Sequence, residues 1–338
     1  MKFRASAPEV LVDHRDRVAA GLGMWCDGTM GFHRGHPRSL AVSPNGGRLA
    51  IHDLFVGLGA PPIAADQAIS SMRGPWDHAS GGPLLSDAGT GHLLLVYHGE
   101  TFTDGDPHDY YSFLGLAHSM DGGLSFHDLG PVVRLEHPEE DPLRPRPVEI
   151  GSGSPVVHDG WLYLYFQDRG IREVRRNLCV ARAELSEVWR AAGRTQAPEF
   201  AKYHDGTWSS PGLGGPADDL MPGRFPPVLW SDTAWVDSLE RFMIVYSTVT
   251  AVVGGVAEWM HMASFSTDGV TWGPPHSVYG RPVIGEILYL TIDSVGAEQR
   301  HIERPAFDIY RTWSDRSWRW DHARLERVRV EFEQSADH

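Results

Sequence analysis

A short turn sequence recurs along this chain and constrains its fold more than any other feature. The segment "GLAHSMDGGLSFHD" places Ser119, Asp121 and Gly122 between two stretches that favour strands, and "MASFSTDGVTWG" repeats the arrangement with Ser266 and Asp268. Asp and Gly between two such stretches are typical of a tight turn that joins two β-strands. We therefore expect the carboxylates of Asp121 and Asp268 to bond the backbone of their own turns, which is a structural role.

Three weaker copies of the turn occur elsewhere in the sequence. "SLAVSPNGGRLAIHD" has it at Ser43, "LCVARAELSEVW" has Ala183 in place of the serine, and "YRTWSDRSWRWD" has Ser314 but lacks the glycine. The five positions are separated by about 68 residues on average, and the recurrence of one motif along the chain indicates a repeat architecture. Five such units would use the whole chain.

A second pattern precedes the turn in the middle units. The segments "GGPLLSDAGTGHLLLVYHGE", "GSPVVHDGWLYLYFQD" and "FPPVLWSDTAWVDSLERFMIVYST" each combine an apolar strand, a turn and a strand rich in β-branched and aromatic residues. Each unit is thus predicted to be a four-stranded antiparallel sheet, which must pack against its copies around an axis. The predicted fold is all-β, a five-bladed β-propeller of four-stranded antiparallel blades, as a single domain over residues 1–338. One helix is predicted in "AELSEVWRAAG".

Charge and cysteine content limit the partners and the location. A formal net charge of −14 argues against a nucleic-acid or anionic-membrane surface, since both need basic patches. No stretch is apolar enough to span a membrane, and the first residues lack the apolar core of a signal peptide. Only Cys26 and Cys179 are present, far apart in the sequence, which fits a reducing compartment. We expect a cytoplasmic protein with a small-molecule or sugar substrate; its oligomeric state stays open.

Acidic residues occupy matching positions in two neighbouring units. Aligning "WDHASGGP" with "VEIGSGSP" pairs Asp77 with Glu149, and Glu100 and Asp168 each lie three residues after an equivalent tyrosine. The next unit has Val249 at the second position, so the blade itself does not require an acid there. Because the first strands of a propeller line its central channel, these carboxylates are expected to face one funnel. Paired carboxylates of different protonation state can act as general acid and general base.

Several other residues flank these candidate strands. The histidines could orient a substrate hydroxyl or move a proton, and the tryptophans could stack on a sugar ring or simply pack in the core. The candidates for substrate binding are His78, His98, Trp25, Trp76 and Trp259. No metal-ligand spacing is evident, and no nucleotide-binding glycine loop or nucleophile elbow occurs.

The turns "SMDGGLSF" and "STDGVTW" resemble the Asp-box turns of sialidase-type propellers. They are also similar to turns of five-bladed glycoside hydrolases related to arabinanases, β-xylosidases and invertases. That resemblance implies an acidic residue on the first strand of each of the first three blades: a base or nucleophile, a residue that tunes a pKa, and a general acid. Here these residues would be Asp27 in "MWCDGTMGF", Asp77 and Glu149. The resemblance implies no organic cofactor and leaves a structural cation such as calcium on the axis open.

Three functions are compatible with these patterns. The favoured one is a glycoside hydrolase-like enzyme that acts on a small glycoside or oligosaccharide by carboxylate acid–base catalysis in the axial funnel. The second is a non-hydrolytic isomerase, lyase or cyclase of small-molecule secondary metabolism on the same scaffold. The third is a non-catalytic ligand-binding propeller, in which the acids are structural.

Overall fold

A computed structural model describes most of the chain. The described residues are 1–19, 28–33, 36–42, 49–53, 76–80, 82–123, 125–135, 148–168, 176–223, 228–279, 282–293, 300–315 and 322–333. Within these ranges the chain forms five β-sheets with only short helical segments between them. The all-β class predicted from the sequence is confirmed.

The sheets are numbered here in the order of their inner strands. Sheet 1 contains β3 (Gly31–His33), β4 (His36–Val42) and β5 (Leu49–Asp53). Sheet 2 contains β6 (His78–Ser80), β7 (Leu84–Ser86), β8 (Leu93–Thr103), β9 (Asp106–Ser119) and β10 (His127–Arg134). Sheet 3 contains β11 (Ile150–His158), β12 (Trp161–Asp168), β13 (Arg176–Glu184), β14 (Ala201–His204) and β15 (Thr207–Pro211).

The last two sheets differ from this order. Sheet 4 contains β16 (Leu229–Val236), β17 (Arg241–Val253), β18 (Val256–Ser266), β19 (His276–Ser277), β20 (Val283–Ile284) and β22 (His301–Ile302). Sheet 5 contains β21 (Glu286–Asp293), β23 (Ala306–Ser314) and β24 (Arg324–Glu333), together with β1 (Lys2–Ala5) and β2 (Glu9–Val12). The helices are α1 (His14–Ala19), α2 (Leu185–Ala192) and a 3₁₀ helix (Asp237–Leu239).

The five sheets form a closed ring. Each sheet contacts the next, and sheet 5 contacts the segment that leads into sheet 1. The contacts around the ring include Gly31 against Gly82, Ser112 with Ile150, Ser154 with Asp232, Asp232 with Ile292, and Thr291 with Met30. Apolar side chains fill the spaces between sheets 2 and 3, sheets 3 and 4, and sheets 4 and 5. Radially packed antiparallel sheets of this kind make a β-propeller.

The prediction of five four-stranded blades is wrong for the described residues. Sheets 2 to 5 each contain at least five strands, whereas sheet 1 contains three. Part of the reason is that the first strands of the chain do not join sheet 1. Instead β1 and β2 pair antiparallel with β24, so that Lys2 lies opposite Glu333. Four sheets therefore reach full blade size in the described part of the chain.

Two-residue turns connect four of the antiparallel strand pairs. Asp104–Gly105, Asp159–Gly160 and Asp205–Gly206 join β8 to β9, β11 to β12 and β14 to β15, and Gly254–Gly255 joins β17 to β18. Both residues of each turn have positive φ, between 46° and 83°. This conformation matches the twist of a hairpin and favours Asp-Gly over other pairs, which explains why this dipeptide recurs.

The Ser-x-Asp-Gly turns have the structural role expected from the sequence. The Ser266 hydroxyl donates to Asp268 Oδ1 at 2.8 Å, and the backbone N–H groups of Val270 and Thr271 donate to the same oxygen at 2.9 and 2.7 Å. Burial alone would raise the pKa of Asp268, but these hydrogen bonds outweigh it and lower the pKa below its ordinary value. Asp121 accepts equivalent bonds from Ser119 and Ser125.

The predicted helix is present as α2. It follows β13 at the position where other units have the Ser-x-Asp-Gly turn, with Ala183 in place of the serine. Val188 and Ala192 are buried against the core between sheets 2 and 3. None of the described helices is both long and apolar enough to cross a membrane.

A buried aspartate joins the inner strands of three sheets. Asp232, on β16, has no solvent exposure. Its carboxylate accepts hydrogen bonds from the hydroxyl of Ser154 at 2.6 Å, the backbone N–H of Thr233 at 2.9 Å and the backbone N–H of Ile292 at 2.8 Å. The guanidinium of Arg300 completes the set as an ion pair. Because Ser154 lies on β11 and Ile292 on β21, one side chain connects sheets 3, 4 and 5.

A second buried network joins sheets 4 and 5. Arg311 donates two hydrogen bonds to Glu326 at 2.7 and 2.8 Å and contacts Nε2 of His261 at 3.0 Å. The other ring nitrogen of His261 lies 3.0 Å from the hydroxyl of Ser247. Burial, reinforced by the charge of Arg311, lowers the pKa of His261 well below its ordinary value. This histidine is therefore neutral in the folded protein.

Candidate active site

The candidate site is a cavity on the propeller axis. Residues associated with all five sheets line it, including Thr29, Ser80 and His98, Glu149, Trp230, and Tyr289. Its volume is about 30 Å³, which is room for about one water molecule. A ligand larger than water could therefore occupy only the mouth of the cavity.

The inner strands are irregular where they pass this cavity. The pairing register shifts between Ser152 and Ser154 on β11, between Leu229 and Asp232 on β16, and between Ile287 and Tyr289 on β21. Gly153 occupies the first irregularity with φ 134°, a conformation that favours glycine. β-Bulges are common beside active sites because they redirect side chains.

Four of the five acids predicted from the sequence lie at the same end of sheets 2 and 3: Asp77, Glu100, Glu149 and Asp168. Glu100 pairs with His78 in β6, and Asp168 pairs with Ile150 in β11. Asp77 and Glu149 directly precede those partners, so the two sheets present equivalent pairs of acids. The positions that the sequence alignment treated as equivalent are therefore also equivalent in the strand pairing of the two sheets.

Asp77 and Glu149 differ in their surroundings despite this equivalence. Glu149 is half-buried and lines the axial cavity. Asp77 is exposed, and its Oδ2 accepts a hydrogen bond from the backbone N–H of Phe102 at 2.8 Å. Its own N–H donates to the carbonyl of Glu100 at 2.8 Å. Asp77 thus holds the end of β8 in place and is absent from the cavity wall.

His98 and Glu100 form a pair beside Glu149. His98 lines the cavity, and its Nδ1 lies 3.9 Å from Oε1 of Glu100, both side chains being largely buried. A carboxylate beside an imidazole can orient the ring and stabilise its charged form. Asp168 is 6% exposed at the end of β12, outside the cavity wall.

Tyr97 also lines this cavity and directly precedes His98 on β8. Its hydroxyl donates to Oδ1 of Asp128 at 2.6 Å. Burial and the charge of Asp128 raise its pKa well above the ordinary value, so it stays protonated and cannot serve as a base near neutral pH.

The tryptophans and the histidine His78, predicted to contact a substrate, lie in different environments. Trp259 is 2% exposed in the core of sheets 4 and 5 and does not line the axial cavity. Trp76 is 7% exposed and packs against Tyr97, with ring centroids 6.3 Å apart. His78 is half-buried at the start of β6. Asp27 and Trp25 lie outside the described residues.

Two aromatic residues of the cavity were missed by sequence reasoning. Trp230 and Tyr289 line it from sheets 4 and 5, with ring centroids 4.7 Å apart. Trp230 has φ 50°, a conformation that bulky residues rarely adopt. Strained backbone of this kind clusters at ligand sites. The register shift that produces it depends on pairing with β17, which the sequence "VLWSD" does not reveal.

Metal ligands come together at one place in the described residues, far from the axis. Nδ1 of His204 lies 2.9 Å from Oδ1 of Asp218, and Nε2 lies 3.5 Å from Oδ2 of Asp205. These residues lie at and beside the β14–β15 hairpin on the outside of sheet 3. The hydrogen bond between His204 and Asp218 accounts for their proximity without an ion.

A ring of antiparallel sheets around an axial cavity defines the chain as a β-propeller, and three solved structures similar to it are named as arabinofuranosidases or an arabinanase. The catalytic domain of a GH62 α-L-arabinofuranosidase from Coprinopsis cinerea superposes with a TM-score of 0.58 and 11% identity, over 100% of this chain and 98% of that one. An α-L-arabinofuranosidase from Podospora anserina, solved with cellotriose, gives 0.56 and 12% over 96% and 95%. An α-L-arabinanase from Penicillium chrysogenum, solved with arabinobiose, gives 0.51 and 8% over 97% and 98%.

These similarities establish the fold at low sequence identity. No protein-family model matches the sequence, and no curated protein matches it either. The glycoside hydrolase-like propeller expected from the turn motifs is confirmed at the level of the fold.

Proposed function

We propose that this chain is a glycoside hydrolase-like enzyme that acts on a small glycoside or oligosaccharide at the axis of the propeller. The observation that carries the proposal is Glu149, a half-buried carboxyl group on the wall of the axial cavity. The neighbours that share the fold are named as arabinofuranosidases and arabinanases, so α-L-arabinofuranosyl substrates are the first class to test.

Glu149 is assigned the role of general acid. Glycoside hydrolysis needs one protonated carboxyl group beside the leaving oxygen and one ionised carboxylate that acts as base or nucleophile. Because the cavity is small, the sugar ring would lie at its mouth, with its leaving oxygen directed toward Glu149. Glu100 and Asp168, at the ends of β8 and β12, are the candidates for the ionised partner. Asp77 acts as a positioning residue through Phe102.

The assignment can be tested by the leaving-group dependence of Glu149→Gln. Loss of a general acid costs about 10²–10⁴-fold in rate when the leaving oxygen needs a proton. We expect such a loss on arabino-oligosaccharides and a much smaller one on 4-nitrophenyl α-L-arabinofuranoside, because nitrophenolate leaves without protonation. Asp159→Asn is the matched control, since Asp159 is an exposed acid at the opposite end of β11. Equal losses on both substrates would contradict the role of Glu149.

The second candidate is proton transfer without hydrolysis, as in an isomerase, lyase or cyclase. The observation that favours it is the His98–Glu100 pair, with 3.9 Å between Nδ1 and Oε1 beside the cavity. Turnover of a non-sugar metabolite that depends on His98, with no release from any glycoside, would support it. Binding of a ligand without turnover of any glycoside or non-sugar metabolite would support the third function, a non-catalytic ligand-binding propeller. The single domain, the cytoplasmic location and the absence of a cofactor stay predictions from the sequence.

A further inference from the structure

A second concave surface lies away from the axis, on the outside of sheet 3. It is a groove of about 920 Å³ between β10, α2 and the β14–β15 hairpin. This volume is within the range of small-molecule sites. Trp161, which borders it, lies seven residues before Asp168 on β12, a separation of about 23 Å at the rise of a strand. The groove and the axial cavity are thus separate places.

An arginine held between two tryptophans forms one wall of this groove. The guanidinium carbon of Arg182 lies 4.1 Å from the ring centroids of both Trp161 and Trp208. The three residues come from β13, β12 and β15, so the stack depends on the pairing of sheet 3. Stacking on both faces fixes the plane of the guanidinium in advance of any ligand.

Arg182 lacks the carboxylate partner that two other stacked arginines, Arg311 and Arg324, have. Arg324 lies 4.1 Å from the ring centroid of Trp313, and Arg311 lies 5.5 Å from that of Tyr279, yet both also pair with Glu326. Arg182 makes no ion pair with any described residue, and its buried Nε has no hydrogen-bond partner there. Its terminal N–H groups therefore have unused donor capacity.

The geometry restricts the ligand that these donors can accept. Since indole rings cover both faces of the guanidinium, an acceptor can approach only in its plane, which favours the bidentate fork of a carboxylate. The groove is also lined by Glu184, Glu187 and Glu199. Glu187 pairs with Arg190, and Arg194 also lines the groove, so the lining apart from Arg182 carries one net negative charge. That charge disfavours a dianion such as phosphate more than a monoanion.

We propose that this groove binds a carboxylate-bearing sugar, with Arg182 as the carboxylate receptor. The choice of a sugar over other carboxylates rests on the proposed function, while the carboxylate itself rests on Arg182. An acidic oligosaccharide would be held here independently of hydrolysis at the axis. The chain would therefore have two sugar sites, one at the axis for chemistry and one in the groove for retention.

Calorimetric titration with cellobiouronic acid, cellobiose and inorganic phosphate tests this proposal. The first two differ only in one carboxylate. We expect the uronate to bind, cellobiose to bind at least 10-fold more weakly, and phosphate not to compete. Arg182→Gln should weaken uronate binding at least 10-fold, and Arg182→Lys should also weaken it, because an ammonium lacks the planar fork. Arg241→Gln, at an exposed position in sheet 4, is the matched control.

The two sites can be separated by crossing variants. Arg182→Gln should leave hydrolysis of a small nitrophenyl glycoside unchanged, and Glu149→Gln should leave uronate binding in the groove unchanged. If only the proposed hydrolysis at the axis is wrong, the protein would hydrolyse no glycoside but would still bind the uronate in the groove. Equal affinity for uronate and cellobiose, absent uronate binding, competition by phosphate, or full affinity in both Arg182 variants would overturn the proposal. Arg182→Lys retains the positive charge, so it can replace Arg182→Gln in the binding measurements if the glutamine variant fails to fold.

Discussion

Replacing Asp232 by asparagine should destabilise the propeller more than any surface change. The substitution leaves the guanidinium of Arg300, whose side chain is 7% exposed, without its carboxylate. Removing one partner of a buried ion pair costs about 3–5 kcal/mol. Asparagine also has one acceptor oxygen where aspartate has two, so the donors from Ser154 and Ile292 cannot both keep their bonds.

The expected decrease in the free energy of unfolding is therefore about 4 kcal/mol. It can be measured by urea unfolding, followed by tryptophan fluorescence and by far-ultraviolet circular dichroism. Asp237→Asn is the control, because Asp237 pairs with His301 at a 39% exposed side chain, and exposed pairs contribute about 0–1 kcal/mol. Adding Arg300→Gln to the Asp232 variant should restore part of the loss. A decrease below about 1 kcal/mol, or no recovery in the double variant, would refute the assignment of a buried charge pair.

Two further predictions concern pH and packing. Burial keeps His261 neutral in the folded state, so between its lowered pKa and the unfolded value of 6.5 the unfolded chain binds one more proton. The free energy of unfolding should therefore fall as pH decreases below 6.5, by up to about 1.4 kcal/mol per pH unit. Urea unfolding between pH 5 and 7 measures this dependence on pH. In His261→Gln the change in the free energy of unfolding per pH unit should be smaller by up to that amount. An unchanged slope would contradict the buried neutral histidine. A Cβ at Gly115 would lie 2.2 Å from the ring of Tyr97, so Gly115→Ala should cost about 1–3 kcal/mol. Gly89→Ala, where the nearest atom is 3.6 Å away, should change stability by less than about 0.5 kcal/mol in the same assay.

Local features of the fold could be predicted from the sequence because few neighbouring residues determine them. The turns at Ser119 and Ser266 form through bonds within six residues of the serine. The Asp-Gly hairpins depend on two residues with positive φ. Strand pairs within a unit follow from the same local signals. For that reason the propeller class and the equivalent positions of Asp77 and Glu149 could be derived before the structure was known.

Features that depend on distant pairing could not be predicted. Nothing local in "MKFRASAPEVLV" indicates that β1 pairs with β24 and joins sheet 5. The orientation of Asp77 toward Phe102 depends on how β8 ends. Trp259 and Trp230 look alike as sequence, yet one packs in the core and the other lines the cavity, because register shifts decide which way each side chain points.

The pairing of β1 with β24 has a consequence for how the molecule is made. Lys2 and Glu333 become partners although 331 positions separate them, and closing so long a loop is slow. On a ribosome β1 stays unpaired until β24 has emerged. The exposed edge during that interval is a place where nascent chains can associate wrongly. Sheet 5 therefore cannot be completed before β24 is made, however early the other sheets form.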